Sequence, residues 1–272
     1  MVMTQEEIAR LPVTRTIHAY DGRVKRFAGY PGDWAVDEIA YGLPAQHASR
    51  GRIYRACGGG TLVEVGAHIG TTTLVAADFF HVVYAFEPSP RNIALLKHNI
   101  ALNEAKNVAV MECALSDCDG RADFFLCGDD RAVCHSLNSA VARSGQIANV
   151  PVFKLDSVIE DVSDCRLLLI DAEGHDMKVL RGGWSFIDRN RPVIVIEFAP
   201  QFWNMCGSCG DHLNEFAITH GYRLFADFGN NFSPVSHWLV TEMFGLWKNT
   251  CQAWLDIYLV PPGQHCDIFP NR

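Results

Sequence analysis

Short runs of apolar residues alternate with longer segments of helical periodicity through most of the chain. The runs are rich in β-branched and aromatic side chains, as strands are, and lie at 62–65, 82–86, 108–111, 167–170, 193–196, 222–226 and 257–260. In the segment that follows Pro90, the apolar residues Ile93, Leu96 and Ile100 share one helical face. Because several runs end in glycine or acidic residues, the pattern predicts a doubly wound, mostly parallel α/β sheet with its site at the carboxyl edge.

Local signals mark where several elements begin and end. Residues 71–80 should form the first crossover helix, and Ser89 followed by proline should cap the second. Asp211 can cap a later helix that Gly221 closes. Residues 128–150 are polar and only weakly periodic, which predicts a surface loop near the site.

The strand at 61–65 leads into a glycine turn that can bring a ligand close to the backbone. Gly66 and Gly70 bound the turn, and a helix N-terminus follows directly. The next strand ends at Glu87, where a carboxylate can accept hydrogen bonds from both hydroxyls of a ribose. The turn and Glu87 together predict a crevice that binds an adenosine cofactor.

The spacing of small residues in this turn separates the adenosine cofactors. A dinucleotide-binding turn, GxGxxG, needs small residues at positions 66, 68 and 71, whereas the chain has Gly66, His68 and Thr71. S-adenosylmethionine has no phosphate and needs only a turn that passes beside its amino-acid portion. We therefore expect S-adenosylmethionine, and a nicotinamide-dependent oxidoreductase is disfavoured. On the glycines alone, an ordinary turn without a ligand is the alternative.

An acidic cluster follows the strand at 167–170, at the same predicted edge of the sheet. Its candidate functional residues are Asp171, Glu173 and His175. Methyl transfer to an alcohol is an in-line displacement in which the protein aligns the acceptor oxygen and removes its proton. Asp171 and Glu173 are the first candidates for this role, with His175 as base or orienting partner. The alternative is structural: the three side chains could bind loop amides, cap a helix or be solvated.

Composition and charge limit the classes of partner. The 272 residues are 49% hydrophobic, enough for a substantial core, and the formal net charge is -8. Because an acidic protein repels a phosphate backbone on average, we expect no nucleic-acid partner. Residues 1–10 lack the apolar core of a signal peptide, and no apolar run approaches the roughly 18 residues of a membrane span. We therefore expect a cytoplasmic protein with no membrane partner.

The chain divides into an N-terminal cap segment, residues 1–60, and one catalytic domain, residues 61–272. The first segment carries aromatic residues without a clear period and several turn pairs, which predicts a cap over the crevice. Within it, Trp34 or Tyr41 could touch the ligand.

The ten cysteines are predicted to be reduced thiols, since a disulfide framework is typical of secreted chains. Cys206, Cys209 and His212 form half of a zinc site. The other ligands would have to come from scattered residues: Cys251, His265 or Cys266. Free thiols in a loop are favoured, so no metal is predicted.

Four segments together resemble the FkbM family of S-adenosylmethionine-dependent methyltransferases. They are LVEVGAHIG at 62–70, AFEPSPRNIALLKHNIALN at 85–103, CALSDCDG at 113–120, and LLLIDAEGHDMKVLRGG with RPVIVIE at 167–197. The resemblance implies a class I methyltransferase fold, which is Rossmann-like with a mostly parallel seven-stranded sheet. It also implies S-adenosylmethionine as cofactor and O-methylation of a hydroxyl on a sugar or secondary metabolite.

Motif positions and strand ends together define the predicted site. Asp171, Glu173 and His175 are the predicted catalytic residues. The predicted cofactor-binding residues are Glu64, Gly66, His68, Gly70, Glu87, Pro88, Ala114, Ser116 and Asp171. Many family members have aspartate in place of Glu64 and asparagine in place of His68, and neither change puts the cofactor in doubt.

A second function class stays open beside the enzyme. A module with a methyltransferase fold could bind a metabolite or partner without turnover, because a fold does not establish an activity. The acidic cluster beside the cofactor turn favours the enzyme. The expected partner is a small-molecule or glycan acceptor, and a homodimer is the open alternative to a monomer. No feature of residues 1–60 or 200–272 identifies the acceptor.

Overall fold

The computed structural model describes residues 4–11, 13–17, 23–29, 45–126, 135–142, 146–227, 231–250, 253–263 and 268–269. Trp34 and Tyr41 lie outside these residues, as do Cys251, His265 and Cys266. The N-terminal part contains helix α1 (Gln5–Ala9), the antiparallel strands β1 (Val13–Ile17) and β2 (Val24–Ala28), and helix α2 (Ala45–Cys57).

Strands and helices then alternate along the chain. The strands are β3 (Thr61–Val65), β4 (Val82–Phe86), β5 (Val108–Met111), β6 (Ala114–Leu115), β7 (Gly120–Phe125), β8 (Ile147–Phe153), β9 (Cys165–Ile170), β10 (Val193–Phe198), β11 (Arg223–Asp227), β12 (Phe232–Pro234) and β13 (Leu255–Val260). The helices are α3 (Thr71–Ala76), α4 (Pro90–Leu102), α5 (Ser139–Ala142), α6 (Leu155–Val158), α7 (Asp176–Gly182), α8 (Trp184–Asn190), α9 (Pro200–Met205), α10 (Gly210–His220) and α11 (His237–Trp247).

The central sheet has the strand order β12-β11-β13-β10-β9-β3-β4-β5. Strands β10, β9, β3, β4 and β5 are parallel, and β13 is antiparallel to both β10 and β11. The predicted doubly wound, mostly parallel sheet is therefore confirmed, but it has eight strands instead of seven. The extra strand is the short β12, which forms the edge of the sheet and pairs with β11.

The direction in which strands are added reverses between β3 and β9. From β3 the chain builds β4 and β5 on one side, and later builds β9 and β10 on the other. Ligands of open α/β sheets bind at such a switch point, outside the carboxyl ends of the strands. Gly66 and Asp171 directly follow these two strands, so they lie at this point.

A second, three-stranded sheet has the order β6-β8-β7. Its strand β8 begins at Ile147, and α5 lies at residues 139–142, so the prediction of a loop across 128–150 is wrong for these parts. Val150 and Val152 are buried against Phe124, whereas Asn149 and Phe153 are exposed and Pro151 is half-buried. This short alternation is diluted by a proline and an asparagine, which is why the periodicity looked weak.

Helices cover both faces of the central sheet. On one face, Ile53 and Tyr54 of α2 pack in a cluster with Leu167 and Leu169 of β9. On the other face, the cluster is centred on Trp203 and includes strand residues such as Ile170. The N-terminal helix α2 is thus part of the core that supports the switch point.

The predicted helix ends are mostly correct. Ser89 caps α4 by accepting a hydrogen bond from the backbone N–H of Asn92, and Gly221 closes α10. The first crossover helix ends at Ala76, earlier than predicted. Asp211 is not the cap of α10, because it lies within the first turn and accepts a hydrogen bond from Thr241 Oγ1 at 2.7 Å. Among the described residues, no helix has the length and apolar character needed to cross a membrane.

Candidate active site

The predicted cofactor turn follows β3 in a conformation that requires glycine. Gly66 has a φ of 88°, and a Cβ built on it would lie 1.9 Å from the carbonyl oxygen of Asp171. Gly70, with a φ of 92°, precedes α3, and His68 between them has a left-handed φ of 51°. Only glycine tolerates the contact at position 66. The turn and the end of β9 are therefore packed directly against each other.

Glu87 is fixed beside this turn by three hydrogen bonds. Its Oε2 accepts from the backbone N–H of His68 at 2.8 Å, and its Oε1 accepts from the N–H of Ser89 at 2.9 Å and from Asn92 Nδ2 at 3.3 Å. Burial raises the pKa of Glu87 to about 7, and the same hydrogen bonds oppose that shift. The left-handed backbone of His68 turns its amide toward Glu87, so the turn and the carboxylate form one unit. Pro88 follows in the same loop.

Asn99 of α4 supports the turn from below. Its Nδ2 donates to the carbonyl oxygens of Ile69 at 2.9 Å and Ala28 at 3.1 Å, while its Oδ1 accepts from the N–H of Ala28 at 2.7 Å. Asn99 is fully buried, so these bonds are shielded from water. One amide side chain thereby ties the N-terminal hairpin to the cofactor turn.

Glu64 lies within β3, two residues before Gly66, and is almost fully buried. Its Oε2 accepts a hydrogen bond from Thr73 Oγ1 at 2.5 Å. Burial raises the pKa of Glu64 to about 7, and the nearby charge of Arg50 opposes that shift. A carboxyl group is thus held beneath the start of α3.

Ala114 and Ser116, the predicted adenine side of the crevice, lie in and after β6. Ser116 is buried, and its N–H donates to the carbonyl oxygen of Phe153 at 3.0 Å. Its own carbonyl is packed so closely on α7 that a Cβ at Gly182 would lie 2.0 Å from it. This wall is therefore rigid and belongs to the smaller sheet.

Strand register places three carboxyl groups side by side on one face of the sheet. Ile170 pairs with Ile196, so Asp171 and Glu197 follow at the same level of neighbouring strands. Glu197 in turn pairs with Asp256 of β13. Because residues directly opposite each other share a face, the three side chains form a row beside Gly66. The sequence predicted only Asp171 of this row as a site residue.

Arg50 of α2 reaches into the row. Its Nε and Nη2 donate to Asp256 Oδ2 at 2.8 Å and Oδ1 at 2.9 Å, a two-pronged contact. Nη2 also lies 3.8 Å from Asp171 Oδ2. The side chains of Arg50 and Asp256 are about 5% exposed, whereas that of Asp171 is 29% exposed. Asp171 is thus more open toward the crevice than Asp256.

The carboxyl groups of Asp171 and Glu197 are within hydrogen-bonding reach of each other. Burial raises the pKa of Asp171, and the charge of Arg50 opposes this shift. Burial, followed by the charges of Asp171 and Glu173, raises the pKa of Glu197 well above its ordinary value. Two adjacent carboxyl groups cannot both ionise easily, so the arrangement favours one proton shared by the pair.

The loop after β9 separates a structural acid from a candidate functional one. Asp176 is fully buried; its Oδ1 accepts from the N–H of Ala172 at 2.9 Å, and its Oδ2 accepts from the N–H of Gly174 and Trp203 Nε1, both at 3.1 Å. Glu173 has a left-handed φ of 48°, and among the described residues no group bonds its buried Oε2. Asp176 shapes the loop, and Glu173 is left with an unused oxygen.

Charges around Glu173 favour its neutral form. Burial and the charges of Asp171 and Asp176 raise the pKa of Glu173 well above its ordinary value. Its carbonyl oxygen accepts from Ser136 Oγ at 2.9 Å, which brings residues 135–142 over the loop. Asn138 Nδ2 in this segment also donates to the carbonyl oxygen of Met205 at 2.9 Å.

The structure places His175 away from the carboxyl row. Its Nε2 lies 3.4 Å from Lys178 Nζ, and burial lowers its pKa to about 4. Lys178 and Asp117 are the charges that act on it. His175 is therefore neutral at physiological pH. Burial likewise lowers the pKa of His68 to about 4.

The half zinc site makes protein contacts. Cys206 Sγ accepts a hydrogen bond from Asn138 Nδ2 at 3.4 Å, and His212 Nδ1 accepts one from the N–H of Cys209 at 3.2 Å. Within the part of the chain that the structure describes, no group of three or more His, Cys, Asp or Glu side chains could hold a metal ion.

Residues outside the sequence prediction complete the site. Arg50, Asp256 and Asn99 were missed, and Glu197 was not among the predicted catalytic or cofactor-binding residues. Glu197 carried a usable signal, because it ends a buried run just as Asp171 does. No comparable sequence signal marked Arg50, since α2 shows no clear apolar period.

A sheet with a glycine turn at its switch point and an acid ending the next strand is the class I methyltransferase fold, as predicted. A model of the FkbM methyltransferase domain matches residues 64–224, more than half of the chain. The chain therefore belongs to the FkbM methyltransferase family. Comparison with curated protein sequences finds no match.

Several solved structures match this chain at low sequence identity. The FkbM methyltransferase from Methylobacillus flagellatus KT is 15% identical with a TM-score of 0.46; the match covers 84% of this chain but 55% of that one, about half its length. The precorrin-6y C5,15-methyltransferase from Geobacter metallireducens GS-15 is 12% identical, with a TM-score of 0.45 and coverage of 86% and 94%. An rRNA methylase from Streptococcus thermophilus is 12% identical, with a TM-score of 0.44 and coverage of 80% and 97%.

Proposed function

We propose that this protein is an S-adenosylmethionine-dependent O-methyltransferase that methylates a hydroxyl group of a sugar or secondary metabolite. Family membership supports the methyltransferase class. The observation that carries the proposal is the direct packing of the cofactor turn on the candidate base, in which Gly66 abuts the carbonyl of Asp171. This contact puts a cofactor-binding backbone and an acidic side chain in one crevice.

The residues of the crevice fit this cofactor. Glu87 Oε2 accepts one hydrogen bond and keeps a lone pair, and on Oε1 a ribose hydroxyl can replace the long 3.3 Å bond from Asn92 Nδ2, so the carboxylate can take both ribose hydroxyls. The acidic lining of Glu64 and Asp171 suits a ligand that carries a sulfonium and an ammonium charge. When bound, S-adenosylmethionine supplies a methyl group already activated by the sulfonium.

Asp171 is the residue that we assign as general base. Its side chain is 29% exposed, and Arg50 nearby favours its ionised form. A carboxylate in this position can take the proton of an acceptor hydroxyl as the oxygen bonds to the methyl carbon. Glu173 has a buried oxygen, Oε2, that no described residue bonds and that can hold the acceptor in line.

The acceptor that we propose is a small hydroxylated molecule or glycan in the cytoplasm. An uncharged, hydroxyl-rich acceptor can bond to protonated and ionised carboxyl groups without adding a further charge. The formal net charge of -8 does not favour nucleic acid. His175 is neutral and engaged with Lys178, so we give it a supporting role near the acceptor rather than that of the base.

Calorimetry followed by a transfer assay tests the proposal. The folded protein should bind S-adenosylmethionine and its demethylated product but not NAD, and should then transfer labelled methyl groups to a member of a panel of sugars and hydroxylated secondary metabolites. Failure to bind either form of the cofactor would refute the proposal. Cofactor binding without transfer to any hydroxyl in the panel would favour a binding module instead.

A further inference from the structure

Two residues of the site lie outside the segment that matches the family. Arg50 belongs to α2 and Asp256 to β13, whereas the match covers residues 64–224. They are 206 residues apart in the chain and are joined by the two hydrogen bonds described above. Both side chains are buried, so neither contact is a surface ion pair that water would weaken.

The two carboxyl groups of the Asp171–Glu197 pair have different charged neighbours. Its Nη2 lies 3.8 Å from Asp171 Oδ2. Glu197 instead stands directly opposite Asp256, a carboxylate. One member of the pair thus faces a cation, and the other faces an anion.

We propose that Arg50, anchored by Asp256, is a positioning residue that fixes the shared proton of the Asp171–Glu197 pair on Glu197 and keeps Asp171 as the carboxylate. This inference rests on the proposed function, in which Asp171 receives the acceptor's proton. It assigns a role in the reaction to two parts of the chain beyond the matched segment.

The charges around the pair agree with this assignment. Arg50 lowers the pKa of Asp171, while the charges that act most strongly on Glu197 are all carboxylates. Besides Arg50 and Asp256, the groups that face the pair are Glu173 from the loop, Asp176 at the start of α7 and, toward Asp171, Glu64 of β3. These further groups are acids, and Arg50 is the cation that distinguishes the two members.

The proton balance of methyl transfer follows from this arrangement. The acceptor O–H bond breaks and its proton goes to Asp171, while the oxygen bonds to the methyl carbon and the electrons of the broken carbon–sulfur bond stay on sulfur. Glu197 keeps its own proton throughout and donates it as a hydrogen bond to Asp171. After transfer, Asp171 loses the acquired proton to water as the products leave.

The test is a titration of the ligand-free protein. With aspartate labelled at the carboxyl carbon, the NMR signal of Asp171 is assigned as the one that Asp171→Asn removes, and its midpoint is followed with pH. Replacing Arg50 by Gln should raise that midpoint by roughly 1 to 3 pH units, because the opposite charge is lost. Arg50→Lys, which keeps a charge, should restore most of the shift.

Two further variants keep the test decisive. Arg50→Gln leaves Asp256 buried without its partner and could unfold the protein, so Arg50→Gln with Asp256→Asn removes both charges together. Arg50 Nη2 lies 3.8 Å from Asp171 Oδ2, whereas β10 lies between β9 and the strand that carries Asp256, so the midpoint should rise in the double variant as well. Arg52, which pairs with Asp227 at 2.6 Å on the same helix, is the matched control, and Arg52→Gln should leave the midpoint unchanged.

An unchanged Asp171 midpoint in the folded double variant would overturn the proposal, as would an equal shift in Arg52→Gln. Because the titration uses neither cofactor nor acceptor, its result is independent of the calorimetry that tests the proposed function. Once an acceptor is found, the acidic limb of the rate profile should move with the Asp171 midpoint in the same variants.

Discussion

The carbonyl oxygen of Asp171 lies 1.9 Å from the position that a Cβ of residue 66 would occupy. The cofactor turn and the end of β9 are therefore in contact through Gly66, and the hydrogen bond from the N–H of Asp171 to the carbonyl of Val65 adds to this contact. Any side chain at position 66 has to push the two strand ends apart.

We expect Gly66→Ala to lose cofactor binding and to lower the free energy of unfolding. The left-handed backbone alone should cost about 1 to 3 kcal/mol. Gly245→Ala is the matched control, because Gly245 lies in α11 with no atom near a new Cβ, and alanine there should stabilise the helix by about 0.5 to 1 kcal/mol. Chemical denaturation and calorimetry measure both effects. Normal affinity in Gly66→Ala would contradict the assigned turn.

We expect Glu87→Ala to weaken binding of S-adenosylmethionine at least roughly tenfold. The change removes two charge-assisted hydrogen bonds to the ribose, each worth about 1.5 to 3 kcal/mol. It also frees the N–H of His68, so thermal denaturation should accompany the calorimetry to show that the protein is folded. Unchanged affinity in the folded variant would remove Glu87 from the cofactor site.

We expect Asp171→Asn to reduce the rate of methyl transfer by about 10² to 10⁴, as loss of a general base does. Glu173→Gln should reduce it less, since it retains a hydrogen-bonding group. If affinity for the demethylated cofactor is intact in both variants, the loss belongs to chemistry; a rise in the cofactor KM alone would assign the residues to binding.

The same assay settles the role of His175. Because its pKa is about 4, a His175→Ala variant should keep the pH dependence of the parent between pH 6 and 8, roughly the range in which an unperturbed histidine titrates. Loss of a limb of the profile near neutral pH in this variant would make His175 the base after all.

We expect stability to fall as the pH rises from about 4.5 to 7, in part through Glu64. Its folded-state pKa of about 7 exceeds the ordinary 4.5, so the folded protein binds the proton more tightly and loses that advantage as Glu64 ionises. Glu64→Gln should match the parent near pH 4.5 and exceed its free energy of unfolding by about 1 to 3 kcal/mol at pH 8. Glu215→Gln, an exposed site, should change neither value. Parallel curves for Glu64→Gln and the parent would show that Glu64 is not the source.

We expect methyl transfer without a bound metal. Cys206 and His212 are engaged in hydrogen bonds within the protein, and carboxyl groups suffice for proton transfer. Protein dialysed against a chelator should keep its circular dichroism and its activity. Loss of either, with recovery on adding Zn²⁺ or Mg²⁺, would show that the reaction needs a metal.

Residues whose roles follow from their position directly after a strand or before a helix were predictable from the sequence. Gly66, Glu87 and Asp171 each directly follow a buried strand, and the parallel sheet alone brings such positions to one edge. The cap at Ser89 is equally local. Strand β8 was missed because it is half exposed and interrupted by a proline, so its alternation is short.

Contacts between distant segments were not predictable. Arg50 and Asp256 meet only because α2 packs on the face of the sheet to which β13 presents Asp256, and neither segment carries a motif. Asp176 has a structural role that the sequence did not reveal. It belongs to the acidic cluster by sequence, but its oxygens accept hydrogen bonds from two loop amides and an indole. A count of acids cannot separate such a side chain from a functional one.

The Arg50–Asp256 contact also determines how this protein can be recombined with its relatives. A chimera that exchanges only the family-matched segment would join a foreign carboxyl row to an arginine and an aspartate selected for the original one. The transplantable unit instead begins with α2 and extends through β13, residues 45–260.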